Sequence, residues 1–227
     1  MTFTRLGATL IIMEKFAPET FLDCVQTYKA THTQMVPTMF VKLLKLPEDV
    51  RKSYDVSSLE FVIHAGAPCP ADIKRAMIDW IGPVVNEFYG GTESGPVVFC
   101  TSHEWLEHPG TVGRPFEGSQ VAIYDDFGNR LPAGETGEIF MRVEFLPDFT
   151  YHGKPEARAA LERDGLITCG DIGYFDSDGF LYICDRKRDM VISGGVNIYP
   201  AEIEAVMFQH DKVQDCAVFG IPHPEFG

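Results

Sequence analysis

The stretch Glu87-Phe88-Tyr89-Gly90-Gly91-Thr92-Glu93-Ser94-Gly95 sets aromatic rings, glycines, a hydroxyl and a carboxylate side by side. Just upstream, Pro83-Val84-Val85-Asn86 reads as the end of a short buried strand. A strand end that opens into glycines lets backbone N–H groups approach an anion, because no Cβ stands in the way. Thr92 adds a hydroxyl that can reach a phosphate oxygen, and Glu93 a hard oxygen ligand of the kind Mg²⁺ takes. Tyr89 adds a flat face on which a base can stack. Taken alone, the same residues describe a plain Gly-rich turn.

The elements that must position this stretch alternate in type. Ala8–Met13 is an apolar, strand-like run, and Pro18 opens a helix whose Phe21, Leu22, Val25 and Tyr28 fall at helical spacing. Thr33–Val36 reads as a strand and Pro37 starts a second helix through Phe40, Leu43 and Leu44. Phe61–His64 is a third strand, and Pro70 opens a helix through Ile73, Met77 and Trp80 ahead of a fourth strand at Val84-Val85. Strands separated by helices imply β-α-β units around a mostly parallel sheet, with ligands beyond the carboxyl ends of the strands. From Pro96 to Cys184 the texture becomes antiparallel and β-rich, with strands at Ser119–Tyr124, Gly137–Val143 and Phe180–Cys184 and one helix near Pro155–Leu161. After Asp185 come a charged joint, a strand through Met190–Ser193, and a helix from Pro200 with Ile203, Val206 and Met207 on one face. A strand at Val213–Phe219 follows. The fold class expected is α/β: part of a parallel α/β sheet subdomain (residues 1–100), a β-rich subdomain (101–184), and the start of a small α+β C-terminal lobe (185–227).

Composition narrows the function classes. The chain has 227 residues, is 45% hydrophobic, and carries a formal net charge of -14. That charge argues against general nucleic-acid binding, which needs a basic footprint, but not against a nucleotide held by a few local donors. No apolar run reaches the length of a membrane span and no signal segment opens the chain. Cys24, Cys69, Cys100, Cys169, Cys184 and Cys216 are dispersed, which favours a reduced, cytoplasmic setting over a disulfide framework. The apolar run near Met1 and the stop at Ile221–Gly227, just after a strand-like run, read as the ends of a fragment of a longer protein, and an unpaired first strand predicts poor solubility.

Two further stretches join the first. They are Thr168-Cys169-Gly170-Asp171 and the long run from Asp185-Arg186-Lys187-Arg188-Asp189 through Ser193-Gly194-Gly195 to Tyr199-Pro200-Ala201-Glu202. In this order the three resemble the adenylate-forming superfamily, and most nearly its acyl-CoA synthetases. Pro109–Pro115 and Gly134–Glu138 are similar to further landmarks of that family, so the resemblance covers essentially the whole chain. It implies that a carboxylic acid, fatty or otherwise hydrophobic, is activated by ATP to an acyl-adenylate and then passed to the thiol of coenzyme A. By the same resemblance Tyr89 stacks on adenine, Gly66-Ala67-Pro68 closes its other side, and Gly90 belongs to the same loop. Thr92 and Glu93 carry the catalysis, Thr92 on the α-phosphate and Glu93 holding Mg²⁺. Asp171 accepts from both ribose hydroxyls, Arg186 lies near ribose and phosphate, and Ile183 packs on the base. Arg188 is the implied pivot of a rotating C-terminal lobe, and Gly194 and Gly195 line the pantetheine channel.

Several residues invite other readings. His64 either faces the acyl pocket or is a hydrogen-bonded core histidine. His103 and His108 are five apart, off a common helix face, and do not make a zinc pair. Phe88 stands where many relatives have glycine and reshapes the acyl end of the site. The family's upstream phosphate loop and distal catalytic lysine have no counterpart in the sequence, and neither Lys187 nor Lys212 sits in the right motif to replace the latter. An acyl-AMP ligase serving a carrier protein, and a catalytically incomplete AMP-binding or interaction module, are the competing readings. Peripheral membrane contact is compatible with long acyl substrates; acyl length and oligomeric state are not encoded in any motif.

Overall fold

The computed structural model describes residues 5–194, 196–208, 210, 212–213 and 216–224. They form two compact units: one takes the chain up to Asn86 together with Thr101–Leu106, and the other takes Glu87–Cys100 and the chain from Glu107 onward.

In the first unit, helices α1 (Pro18–Tyr28), α2 (Pro37–Leu44), α3 (Glu48–Lys52), α4 (Ala71–Ile81) and α5 (Ser102–Glu107) accompany strands β1 (His32–Met35) and β2 (Phe61–His64). Proline at the first turn starts both α1 and α2, where its missing N–H costs nothing. Helix α1 ends at Lys29 in the left-handed region, with φ 50. Strands β1 and β2 pair in parallel, His32 beside Phe61 and Met35 beside His64, as a β-α-β unit requires. Strand β3 (Val85–Gly91) begins in this unit, where the Val62 N–H donates to the Val84 carbonyl as the chain enters it. Leu22, Val25, Met35, Phe40, Leu43, Val62, Met77 and Val85 make the core, each at most 3% exposed. The fully buried Ser102 hydroxyl ties α5 to the Val85 carbonyl.

The second unit is β-rich. Strand β3 continues through Gly91 and pairs antiparallel with β4 (Gly95–Cys100), which pairs with the short β5 (Arg114–Pro115). Strands β6 (Ser119–Tyr124), β7 (Gly137–Val143), β8 (Glu162–Arg163), β9 (Leu166–Phe175) and β10 (Leu181–Arg186) build a second sheet in the order β10-β9-β7-β6, with β8 beside β9. Its inner face buries Val121, Ile123, Ile139, Met141, Val143 and Leu181 with Val97 and Val98. Helix α6 (Pro155–Ala159) lies between β7 and β8 in the chain. A two-stranded ribbon, β11 (Val191–Ser193) with β12 (Val196–Ile198), precedes α7 (Pro200–Met207).

The α/β expectation holds, with corrections. The sheet is mixed, since β3–β4 and β4–β5 run antiparallel. Ala8–Met13 is not a strand: Leu10, Ile11 and Ile12 are exposed, and no described strand pairs with them. Hydrophobicity alone does not make a strand without a hydrogen-bonding neighbour. Val213 and residues 216–219 likewise carry no ladder, and residues 214 and 215 of that run lie outside the described set. The helix from Pro200 forms as expected, and its Ile203, Val206 and Met207 are exposed. Strand β9, 10 residues long, is not announced by its sequence, because its glycines and Asp171 are turn-forming types.

Candidate functional site

The Gly-rich stretch is the tip of the β3–β4 hairpin, not a loop opening from a strand end. Gly91 pairs with Gly95 across a turn at residues 92–94, and Gly90 pairs with Pro96. The glycines are needed by the hairpin itself. A Cβ at Gly90 would stand 2.0 Å from the Gly95 carbonyl oxygen, and one at Gly91 would stand 2.5 Å from the Cys169 Sγ. The Gly91 N–H donates to the Ser94 Oγ at 2.9 Å, and the Ser94 hydroxyl donates to the Gly95 carbonyl at 2.8 Å. That N–H is therefore engaged within the turn and is not open to an anion. What the tip presents instead is side chains: Thr92 exposed and Glu93 half-buried.

Beside the hairpin, β9 and β10 bring up Asp171 and Arg186, which are register partners. Asp171 is 9% exposed, unusual for a carboxylate. The Tyr89 hydroxyl donates to its Oδ2 at 2.7 Å, and the Arg186 Nε lies 3.6 Å from its Oδ1. Burial pushes the Asp171 carboxyl up, and the Tyr89 hydroxyl and the Arg186 and Arg188 charges oppose the rise. Burial and the neighbouring Asp171 charge also push the Tyr89 phenol up, so it remains a donor. Each carboxylate oxygen has two lone pairs, so Asp171 keeps accepting capacity beyond Tyr89. Cys169, two residues before Asp171, has its thiol pushed up to about 11, first by burial and then by Glu93 and Asp171. It is a neutral thiol at physiological pH, not a nucleophile.

Glu93 has a partner that the motif did not announce. The Tyr151 hydroxyl donates to the Glu93 Oε1 at 2.7 Å, while no described residue donates to Oε2. No motif contains Tyr151, which reaches the hairpin only through tertiary contact, 58 residues from Glu93 in sequence. Phe88 is half-buried on β3 opposite Phe99. Ile183 on β10 packs against the sheet core. Gly66, Ala67 and Pro68 form an exposed loop after β2 in the first unit, with Gly66 at φ +87. His64, just before that loop, is fully buried with its ring edge-on to Phe40 at 5.3 Å, a core histidine.

The charged joint divides at Lys187. Its ammonium pairs with Asp126 at 3.0 Å and Glu138 at 2.9 Å, and its N–H donates to the Gly170 carbonyl at 2.7 Å. Those acids raise the Lys187 pKa through their hydrogen bonds, so this lysine is spent on holding the chain to the sheet. Arg188 next to it is mostly exposed, its nearest charge being Asp189 at 3.6 Å. Asp185 receives the Ala201 N–H at the start of α7 at 3.0 Å. Gly194, at φ 57, is an exposed turn residue of the β11–β12 ribbon, and Gly195 lies outside the described residues. His108 stacks on Phe180 at 3.8 Å and faces Asp176 at 3.4 Å, a packing role apart from the hairpin residues described above.

The model of the AMP-binding enzyme family matches residues 1–146. A long-chain-fatty-acid–CoA ligase of Bacillus subtilis is 36% identical over 96% of this chain and 39% of its own length. Among solved structures, the amide bond synthetase McbA of Marinactinospora thermotolerans superposes with a TM-score of 0.87 at 32% identity, over 96% of this chain and 44% of that one. The o-succinylbenzoate CoA synthetase MenE of Bacillus subtilis, in complex with its acyl-adenylate intermediate OSB-AMP, also gives a TM-score of 0.87, at 29% identity over 99% of this chain and 45% of that one. The chain thus spans less than half the length of the proteins it matches. On the strength of the family match and these identities, the chain belongs to the AMP-binding enzyme family of adenylate-forming enzymes.

Proposed function

We propose that this chain carries the nucleotide-handling part of an acyl-CoA synthetase. Such an enzyme activates a carboxylic acid with ATP to an acyl-adenylate, releases pyrophosphate, and transfers the acyl group to coenzyme A. The observation that carries the reading is Asp171, a buried carboxylate oriented by Tyr89 and flanked by Arg186. Keeping an acid there costs stability, and a ligand with two adjacent hydroxyls, such as a ribose, would repay the cost. Tyr89 then offers its ring to the base, and Ile183 and Gly66-Ala67-Pro68 keep their resemblance-based roles as nucleotide contacts. Thr92 and Arg186 serve the phosphates.

Glu93 fits a hard cation, since it offers a half-buried carboxylate with one oxygen hydrogen-bonded and the other without a described donor. When bound, Mg²⁺ supplies charge neutralisation on the phosphates. Arg188 is proposed as the pivot, because Lys187 is pinned to the sheet by Asp126, Glu138 and the Gly170 carbonyl while Arg188 beside it is mostly exposed. Residues 185–227 then belong to a moving lobe whose Gly194 and Gly195 give the pantetheine arm room. Phe88 supports a hydrophobic acid, and the six free cysteines support a reducing, cytoplasmic setting. Among the described residues no helix is long and apolar enough to cross a membrane.

The test is acid-dependent ATP–pyrophosphate exchange by the natural polypeptide that carries this segment, over a panel of fatty and aromatic acids. Exchange with at least one acid, followed by thioester formation that requires coenzyme A, is the expected result. No exchange with any acid overturns the reading, and product formed only with a carrier protein or an amine replaces coenzyme A as acceptor.

A further inference from the structure

The loop between β7 and α6 holds a tyrosine that the nucleotide reading leaves unused. Tyr151 donates its hydroxyl to the Glu93 Oε1 at 2.7 Å. Its placement is braced. The Phe149 ring meets the Tyr151 ring edge-on at 5.4 Å, and the Arg158 guanidinium stacks over Phe149 at 5.0 Å. Arg158 is itself tied to Asp148 and Glu162, each at 2.9 Å, and the Tyr151 carbonyl accepts the Lys154 N–H at 3.0 Å. The loop is thus fastened to α6, and the phenol is aimed from a fixed base.

Glu93 needs such a fixture. It sits at a hairpin tip on a side chain with several rotatable bonds, whose rotamer freedom opposes holding the carboxylate in one place. A carboxylate with one oxygen held and the other free is the arrangement that outer-shell partners create around metal ligands. We propose that Tyr151 is a positioning residue for the Glu93 carboxylate, holding Oε1 so that Oε2 can take the divalent cation of a metal–nucleotide complex. The proposal rests on the reading of Glu93 as the cation ligand. The competing role is structural, with the hydrogen bond merely tying the loop to the hairpin.

The experiment titrates Mn²⁺, followed by the electron paramagnetic resonance signal of the free ion, into protein saturated with a non-hydrolysable ATP analogue. Wild type is compared with Tyr151→Phe, Glu93→Gln and the double variant, and analogue affinity is measured separately in EDTA. Tyr151→Phe keeps the ring and its contact with Phe149. The expected result is Mn²⁺ affinity lowered on the order of tenfold in Tyr151→Phe, unchanged analogue affinity in EDTA, and no further loss when Tyr151→Phe is added to Glu93→Gln. Tyr151→Leu, which removes the hydroxyl and leaves an apolar side chain beside Phe149, is expected to show the same loss and stands in should Tyr151→Phe lose its fold. Unchanged Mn²⁺ affinity in Tyr151→Phe, with Glu93→Gln weakened, overturns the positioning role alone. Analogue affinity reduced equally with and without metal shows a structural tie and also overturns it. Wild type that binds neither analogue nor Mn²⁺ overturns the nucleotide reading and this proposal together.

Discussion

Acidification from pH 7 to pH 5 should cost the first unit about 2 kcal/mol through one residue, His64. The imidazole is fully buried against Phe40, and burial, helped by the Lys74 charge, pushes its pKa from 6.5 down to about 3. In the unfolded chain it titrates near its ordinary value. Between those two values the unfolded chain binds one proton more than the folded one, so stability rises with pH across the window. The contribution is complete above about 6.5 and is lost as pH falls toward about 3, at about 1.4 kcal/mol per pH unit. From pH 7 to pH 5 only the last unit and a half of that slope is used, hence the figure of about 2 kcal/mol. The assay is urea unfolding followed by tryptophan fluorescence, because Trp80 and Trp105, the chain's two tryptophans, both belong to this unit. In His64→Leu the difference in stability between the two pH values should shrink by that amount. His32 and His103, in the same unit, are common to both proteins and cancel in the comparison. A pH dependence identical in wild type and His64→Leu would refute the reasoning.

Other consequences follow from the hairpin and its neighbours. Tyr89→Phe removes a hydrogen bond to a buried carboxylate and should lower stability by about 1–3 kcal/mol in urea titrations. Asp171→Asn should behave oppositely. A carboxyl whose folded pKa is raised loses stability as pH rises through that pKa, so removing the charge should leave the urea midpoint at neutral pH equal to or above wild type while AMP binding, read by calorimetry, is lost. Gly90→Ala should destroy the hairpin and appear largely insoluble, since the new Cβ meets backbone at 2.0 Å. Gly66→Ala, with only Val36 near at 3.8 Å, should cost just the roughly 1–2 kcal/mol of a left-handed alanine. Lys187→Met should cost about 1 kcal/mol or less, because the lysine is 42% exposed, and should leave AMP affinity unchanged.

Much of the candidate site was legible because its residues fall into a few short stretches of sequence. Tyr89, Thr92 and Glu93 share one hairpin, and Asp171 and Arg186 become partners as soon as β9 and β10 pair. What could not be read was tertiary. Gly90 and Gly91 look alike as anion-binding glycines, yet one is required by the Gly95 carbonyl and the other by the Cys169 sulfur. The Tyr151 hydroxyl reaches Glu93 across a loop whose residues carry no periodicity. The same limit explains the elements. Proline-started helices α1 and α2 declare their own ends, whereas Ala8–Met13 has a strand's composition without a strand's neighbour. Strand β9 hid behind turn-like residues because its pairing with β7 and β10, not its propensity, makes it a strand.

Calorimetric titration of this chain with AMP, beside Asp171→Ala, tests the central claim most directly. Weak but saturable binding to wild type, abolished in the variant and competed by ATP, is the predicted result. Binding of equal strength in both proteins, or none at millimolar AMP, would contradict the assignment of Asp171 and Tyr89 to a nucleotide.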